Sequence, residues 1–321
     1  MSANNQYPIL TADLQVGFYY KLKSIKDIYF REALIKGIKK NKIADIDKEL
    51  QLYVSDSALK KLATFSLRGE TVFPLPILLQ EDPFLLGYYR LLYGISQKEF
   101  YSKGPFGIFK SMEENGRLSQ KAHNKLSDLC KSLIQTGESL VEQIDSFSLN
   151  MLNELQVLTV GPQLRGSKNN EYGQIAIQKT FSIIKDIVGP SVISSSPTTI
   201  EIKNDSGRIV EIKFSADPDI EIIEKLPTSS RGLLSIEVKG GKDLSNIHNR
   251  IGEAEKSHQK AKSRGYFEFM TIINTDFDYK LLHSESPTTS HFFNLDKITD
   301  KTNIEYQKFK EILSSIIGIN I

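Results

Sequence analysis

The sequence is poor in the residues that form disulfides and zinc sites. Cys130 is the only cysteine among 321 residues, so no internal disulfide can form, and its helical surroundings favour a small buried side chain over chemistry. None of the HExxH, HxxxH or CxxC spacings occurs in the chain. The sequence therefore gives no support to a zinc enzyme or a disulfide scaffold.

Long apolar runs and a large excess of one charge are also missing. No stretch of about 18 apolar residues occurs, and the first 15 residues lack a signal-peptide pattern, so we expect a cytoplasmic protein without membrane contact. The net charge of +2 is too small to indicate a nucleic-acid partner by itself. Positive charge is concentrated in Lys21–Lys42 and Lys239–Arg264. The first stretch fits a phosphate-contacting surface and a solvated helix face equally well, whereas the second adjoins the motif described next.

Two carboxylates and a lysine stand at a spacing that would bring them into one site. Asp219 belongs to the only Pro-Asp step of the chain, and 17 residues separate it from Glu237. That distance is enough for a strand, a turn and a second strand that returns alongside the first. Because alternate residues of a strand project to the same face, Lys239 would lie beside Glu237. The spacing therefore predicts that the three side chains meet.

This combination of side chains suits metal-dependent hydrolysis of a phosphodiester. Mg²⁺ prefers oxygen ligands and normally keeps several waters, so Asp219, Glu237 and the main-chain carbonyl of Val238 would be a sufficient protein contribution. Lys239 would hold the attacking water or help to deprotonate it, and would offset charge that builds on the phosphate. We therefore expect Mg²⁺ as cofactor, with Asp219, Glu237 and Lys239 as the catalytic residues.

The Glu-x-Lys pattern occurs three times, so the choice among the three needs an argument. The triplets that begin at Glu201 and Glu211 lie in an alternating stretch, 198–214, that predicts a β-hairpin with the charges on its solvent face. The third closes a short apolar run and precedes Gly240-Gly241, as expected for a buried strand that delivers side chains to a cleft. We expect these glycines to let a phosphate backbone approach closely.

The segment 245–262 starts as a polar loop and continues as a helix that leads to a strand at 267–273. Strand, strand, helix and strand in this order predict a mixed sheet with a crossover helix. Arg250 would either bind a guanine or pair with Glu253, and His258 is expected to pack or to cap a helix. Four polar residues are candidates for contact with phosphates or base edges: Asn246, His248, Asn249 and Arg250.

The rest of the chain divides near residue 158. The pattern before it is mainly helical, and Thr159–Asn170 lacks periodicity, which predicts a loop or a DNA-contacting arm. Glu171–Val188 is predicted as a helix, and Glu171 is a candidate for an additional catalytic acid, although the helix dipole alone would favour an acid in a first turn. We therefore predict a helical region over 1–158 and a nuclease core with a C-terminal helix over 159–321.

Three stretches resemble one family of enzymes. Ser235–Gly241 and Asn249–His258 resemble type II restriction endonucleases of the PD-(D/E)xK superfamily, most closely the XcyI-like family, and 86–101 also resembles that family. The resemblance implies an α/β fold with a mixed central sheet flanked by helices, and an N-terminal helical region that dimerises or embraces DNA. It further implies a homodimer that cuts both strands of a short palindrome in double-stranded DNA with Mg²⁺. CCCGGG is the leading expectation for the site, and a cognate DNA methyltransferase would act on the same sequence.

Two other functions stay open at this stage. A structure-specific or repair nuclease would use the same core, and a degenerate core would leave a sequence-specific DNA-binding protein without activity. The presence of Asp219, Glu237 and Lys239 argues against the inactive alternative, because loss of any one of them is the simplest route to inactivity. Cleavage of plain duplex DNA at one fixed sequence would exclude the first alternative.

Overall fold

A computed structural model describes residues 12–102, 104–241, 247–275 and 278–320. The chain forms two compact units, Met1–Gly166 and Ser167–Ile321, and one long helix contains the point of division. The first unit is helical, and the second is built on a β-sheet. Among the helices of the described ranges, none combines the length and the apolar character needed to cross a bilayer.

The first unit is a set of short helices, as the sequence pattern predicts. Two 3₁₀ turns, Gly69–Thr71 and Pro105–Phe109, lie between them. The helices are α1 (Asp13–Tyr29), α2 (Arg31–Lys39), α3 (Ile43–Tyr53), α4 (Asp56–Thr64), α5 (Pro76–Glu81), α6 (Leu85–Leu92), α7 (Gln97–Ser102), α8 (Lys110–Asn115), α9 (Gln120–His123), α10 (Leu126–Gln143) and the first part of α11 (Leu149–Val188).

Helix α6 lies at the centre of the first unit's core, and all of its residues are buried. It carries Arg90, which is 2% exposed and donates from Nε and Nη2 to the two carboxylate oxygens of Glu113 at 2.8 and 2.6 Å. Tyr101 and Gln97 also donate to this carboxylate, each at 2.7 Å. A buried charge is costly unless it is paired and hydrogen-bonded, so this network is what makes the ion pair compatible with an apolar core.

The segment Thr159–Asn170 is helical, so the prediction of a loop or arm there is wrong. Helix α11 continues through it with Pro162 inside the helix. Val160 is 4% exposed and packs against Leu91, and the Thr159 hydroxyl donates to the Leu91 carbonyl at 2.8 Å. These tertiary contacts outweigh the unfavourable local propensity of proline in a helix interior.

The second unit contains a seven-stranded sheet in which strand order follows chain order. Pairing is antiparallel from β1 to β5 and parallel from β5 to β7, so the predicted mixed sheet is confirmed. The strands are β1 (Val192–Ser195), β2 (Thr199–Lys203), β3 (Ile209–Phe214), β4 (Ile220–Lys225), β5 (Ser230–Lys239), β6 (Glu268–Ile273) and β7 (His291–Asn294). The helices are the second half of α11, α12 (Ile247–Ser263), α13 (Tyr279–Glu285), α14 (Leu295–Thr299) and α15 (Ile304–Ile317).

Strand β5 is the buried strand that the apolar run predicts, and its two faces differ. Leu234, Ile236 and Val238 join a hydrophobic cluster that includes residues of α11 and α15. Ser235 and Glu237 project to the other face, where their side chains contact α12. Because α12 connects β5 to the parallel strand β6, it is the predicted crossover helix. One apolar face and one polar face of the same strand thus place a carboxylate against this helix.

Candidate active site

The register of β4 against β5 brings Asp219 next to Glu237. Ile220 pairs with Ile236 in the antiparallel ladder, so the residue before β4 lies opposite the residue after Ile236. The main-chain amide of Val238 donates to Asp219 Oδ2 at 2.8 Å. The strand, turn and returning strand expected from the spacing are therefore present.

Lys239 completes the group. Its Nζ lies 2.7 Å from Glu237 Oε2, and its side chain is 17% exposed, against 6% for Glu237. The contact arises because residues 237 and 239 share one face of β5. The structure thus brings together all three residues that the sequence singles out, at the end of a buried strand.

Burial and the charges of neighbouring side chains shift the pKa values of Asp219 and Lys239. Burial raises the pKa of Asp219 to about 6, with a further upward contribution from the Glu237 carboxylate. Burial by itself would lower the pKa of Lys239, but the Glu237 and Asp219 carboxylates outweigh it and raise the pKa. Two carboxylates share one lysine, so a cation bound beside Asp219 and Glu237 would relieve the repulsion between them.

The oxygen atoms of this group suit a hard cation such as Mg²⁺. A strand residue directs its N–H and its C=O to the same edge, so the Val238 carbonyl faces the side on which Asp219 accepts the Val238 amide. Two carboxylates and one carbonyl leave room for the waters that Mg²⁺ keeps. No group of three or more histidine, cysteine, aspartate or glutamate side chains that would hold a metal occurs among the described residues. A metal here would therefore depend on a carbonyl and waters besides Asp219 and Glu237.

The two glycines after Lys239 pack closely against other residues of the second unit. A Cβ on Gly240 would lie 2.3 Å from the Ala176 Cβ and 2.7 Å from the Tyr172 carbonyl oxygen. A Cβ on Gly241 would lie 2.4 Å from Arg250 Nη2. The protein's own atoms thus occupy the space that a Cβ would need at both positions, and the close approach of a phosphate backbone stays a prediction.

Glu171 lies in the middle of α11, because that helix begins at Leu149 and not at Glu171. The helix-dipole explanation for an acid in a first turn therefore does not apply to it. Its carboxylate lies 2.9 Å from Lys168 Nζ, and its side chain is 56% exposed. A role for Glu171 as an additional acid stays a prediction.

Three of the candidate DNA-contacting residues, His248, Asn249 and Arg250, lie in the first turn of α12. Asn246 lies outside the described residues, and Asn249 is exposed. His248 Nδ1 lies 2.5 Å from Glu285 Oε1. Arg250 donates from Nη1 to the Gly241 carbonyl at 2.7 Å, so this side chain holds the chain that follows β5. Their contacts with DNA stay predictions.

The other two Glu-x-Lys triplets belong to the predicted hairpin of β2 and β3. Glu201 and Glu211 both bind Lys225, and Lys213 bridges Glu211 and Glu221. These pairs form a charged ladder across neighbouring strands, as the solvent-face interpretation requires.

His258 packs inside the second unit, as predicted. Its Nδ1 lies 3.3 Å from Ser235 Oγ and its Nε2 lies 2.9 Å from Thr271 Oγ1. Burial lowers the pKa of His258 to about 4. The imidazole is therefore neutral at physiological pH and links β5 to β6 through hydroxyl groups.

Three residues near the site were missed by sequence reasoning. Asp217, on the other side of Pro218, binds the Ser257 hydroxyl, and Lys260 Nζ lies 2.9 Å from its Oδ2. Ser257 Oγ also lies 2.5 Å from Glu237 Oε1. Ser257 and Lys260 lie three residues apart and so share one face of the predicted helix, but no pattern in the sequence connects that face with Asp217 or Glu237.

A family model and two similar enzymes agree on the family to which the chain is related. The model of the XcyI restriction endonuclease family matches residues 19–320. The type II restriction enzyme Cfr9I of Citrobacter freundii is 42% identical over 313 residues, which covers 95% of each chain. The type II restriction enzyme XcyI of Xanthomonas campestris pv. cyanopsidis is 40% identical over 326 residues, which covers 99% of this chain and 98% of that one.

Proposed function

Because the chain belongs to the XcyI restriction endonuclease family, and so is a type II restriction enzyme, we propose that it hydrolyses both strands of duplex DNA at a short palindrome with Mg²⁺. The observation that carries the chemistry is the group formed by Asp219, Glu237 and Lys239 at the end of β5. We assign this group to the PD-(D/E)xK type, with Asp219 as the aspartate of the first half of the motif.

The geometry distinguishes Asp219 from Asp217 in this assignment. Asp219 contacts the amide of Val238 on β5, whereas Asp217 contacts Ser257 and Lys260 of α12. Asp219 therefore presents its carboxylate beside Glu237, and Asp217 anchors the turn that precedes β4. In the proposal the metal is held by Asp219, Glu237 and the Val238 carbonyl.

Each residue of the group has a distinct task. When bound, Mg²⁺ would supply positive charge that stabilises the charge developing on the phosphate. Glu237 holds Lys239 by its Oε2, which directs the ammonium group into the site. Lys239 orients the attacking water through a hydrogen bond and offsets negative charge in the transition state. In the metal-free protein the Glu237 and Asp219 carboxylates raise the pKa of Lys239. A bound Mg²⁺ would oppose that effect, so Lys239 would either hold the water or help to deprotonate it.

We propose a homodimer as the active form and CCCGGG as the site. A two-fold dimer presents the same surface to both halves of a palindrome, so each protomer would cut one strand. A restriction-modification system would then include a DNA methyltransferase that protects the same sequence in the host. The methyltransferase acts on the shared site and needs no contact with this chain.

Cleavage of unmethylated phage DNA with and without Mg²⁺, followed by sequencing of the fragment ends, tests the proposal. We expect discrete fragments only with Mg²⁺, with ends that fall within CCCGGG. Fragments that end at another fixed sequence would refute the site but not the activity. Intact DNA under both conditions, including a substrate that contains CCCGGG, would contradict the proposed function.

Two matched lysine variants connect the activity to β5. Lys239→Ala should abolish cleavage and leave DNA binding intact, because the ammonium group acts on the water and not on recognition. Lys213→Ala, in a Glu-x-Lys triplet of the hairpin, should cut like the wild type. Full activity of Lys239→Ala in the same assay would show that the catalytic lysine is wrongly assigned.

A further inference from the structure

Ser257 lies where three elements of the second unit meet. Its hydroxyl contacts Asp217 Oδ1 in the turn before β4 and Glu237 Oε1 on β5, and Ser257 itself belongs to α12. The residue is 7% exposed. One hydroxyl of one helix thus touches both the strand and the turn that carry the proposed metal ligands.

Helix α12 secures Asp217 independently of this serine. Lys260 Nζ lies 2.9 Å from Asp217 Oδ2, and Arg264 Nη2 donates to the Asp217 main-chain carbonyl at 2.6 Å. Positions 257 and 260 share one face near the C-terminal end of α12, since they are three residues apart, and Arg264 directly follows the last residue of the helix. Two cationic side chains therefore hold the turn even when the hydroxyl is directed elsewhere.

Glu237, in contrast, depends on Ser257 for its attachment to α12. Its Oε2 contacts Lys239, which lies two residues along the same strand and so cannot fix the strand against the helix. Its Oε1 contacts the Ser257 hydroxyl at 2.5 Å. A hydroxyl has a single hydrogen, which Asp217 Oδ1 and Glu237 Oε1 share, and Ser257 is the α12 side chain that contacts Glu237.

We infer that Ser257 is a positioning residue that orients the Glu237 carboxylate toward Asp219 and thereby sets the metal affinity of the site. The inference rests on the proposed function, because it concerns the metal that Asp219 and Glu237 would hold. Ser257 acts through Glu237 and has no contact of its own with DNA or metal in this role. Partners that orient metal ligands in this way typically change metal affinity or activity by about 10–100-fold when they are lost.

Binding of Mn²⁺, measured by the loss of the free-ion electron paramagnetic resonance signal, tests the inference without any turnover. Mn²⁺ favours the same oxygen ligands as Mg²⁺. Ser257→Ala should weaken Mn²⁺ binding about 10–100-fold, since it removes the hydroxyl that fixes the carboxylate. Ser257→Thr keeps a hydroxyl and should restore most of the affinity. Ser263→Ala is the matched control, because that exposed serine of α12 donates to the Lys260 carbonyl of its own helix.

Two further readouts separate positioning from a merely structural role. Thermal unfolding in EDTA should give similar midpoints for Ser257→Ala and Ser263→Ala. In cleavage assays Ser257→Ala should lower kcat and leave the KM for DNA unchanged. A large loss of stability in EDTA that Ser257→Thr shares would overturn the inference in favour of a structural role.

The same titration distinguishes failure of this inference from failure of the proposed function. Wild-type affinity for Mn²⁺ in Ser257→Ala would refute the positioning role while the metal site stands. If the wild type and Asp219→Asn bind Mn²⁺ equally weakly, the proposed metal site itself is wrong, and the inference falls with it.

Discussion

Replacing Asp219 with asparagine should stabilise the metal-free protein even as it abolishes cleavage. Burial, with a further contribution from the Glu237 carboxylate, raises the pKa of Asp219 to about 6. Asparagine carries no charge, and its side-chain oxygen can still accept the hydrogen bond that the Val238 amide donates to Asp219. The variant therefore keeps the geometry of the turn and loses the electrostatic strain.

The size and pH dependence of this effect follow from proton linkage. An unfolded aspartate has a pKa of about 3.9, so as pH rises the unfolded chain releases this proton before the folded protein does. Below about pH 4 both states are protonated, and Asp219 does not destabilise the fold. Between about pH 4 and pH 6 the wild type loses stability, and above about pH 6 the loss is complete. The difference between a pKa of about 6 in the folded protein and about 3.9 in the unfolded chain corresponds to about 3 kcal/mol.

Urea unfolding in EDTA at a series of pH values measures the difference. At pH 8 Asp219→Asn should exceed the wild type in free energy of unfolding by up to about 3 kcal/mol, and the two should converge near pH 4. Addition of Mg²⁺ should stabilise the wild type and leave the variant unchanged. Asp186→Asn is a matched control, since Asp186 is 56% exposed and pairs with Lys301 at the surface. Asp186→Asn should change the free energy of unfolding by less than about 1 kcal/mol.

The reasoning is refuted if Asp219→Asn is equal to or less stable than the wild type at pH 8. That result would mean that the ionised carboxylate of Asp219 is stabilised within the fold. Asp219 would then be a structural residue, and its carboxylate would not need a bound cation for stabilisation.

The remaining predictions concern the core of the first unit and two glycines of the second. Arg90→Met should lower the free energy of unfolding by about 3–5 kcal/mol, because Glu113 is left as an unpaired buried charge, and a loss below about 1 kcal/mol in urea unfolding would contradict this. Gly240→Ala should destabilise by about 1–3 kcal/mol and weaken cleavage, since its Cβ would lie 2.3 Å from the Ala176 Cβ. Gly252→Ala, whose Cβ would meet nothing within 4 Å, should stabilise α12 by about 0.5–1 kcal/mol. Equal effects of the two alanines on unfolding would argue against the steric explanation.

Local patterns were a good guide wherever a segment has one buried face. The alternation in 198–214 predicts the hairpin of β2 and β3, and the inward residues Ile200, Ile202, Val210 and Ile212 are all fully buried. The same logic identifies β5 and the crossover helix α12. Periodicity predicts these segments correctly because side chains on one face recur at the period of the helix or strand. A buried face therefore appears in the sequence as apolar residues at that period.

Local patterns failed where distant residues supply the decisive contact. The helix through Thr159–Asn170 contradicts its proline and glycines, because Val160 and Thr159 make their contacts with Leu91, which is far away in the chain. Likewise, the sequence around Gly240 and Gly241 does not show that Ala176 and Arg250 occupy the positions beside them. Both features depend on the surface against which a segment packs, and the segment's own sequence does not contain that surface.

The sequence by itself determined the mixed sheet and the buried strand β5. It also determined that Asp219, Glu237 and Lys239 lie close together, because residues at this spacing become neighbours when two strands pair. Only the tertiary structure showed that Asp217 contacts α12, whereas Asp219 contacts β5, and that Ser257 binds the carboxylate of Glu237. These choices depend on how α12 packs against β5 and the preceding turn. Such packing brings together side chains that are 20 or more residues apart in the sequence, and the periodicity of a single segment does not predict it.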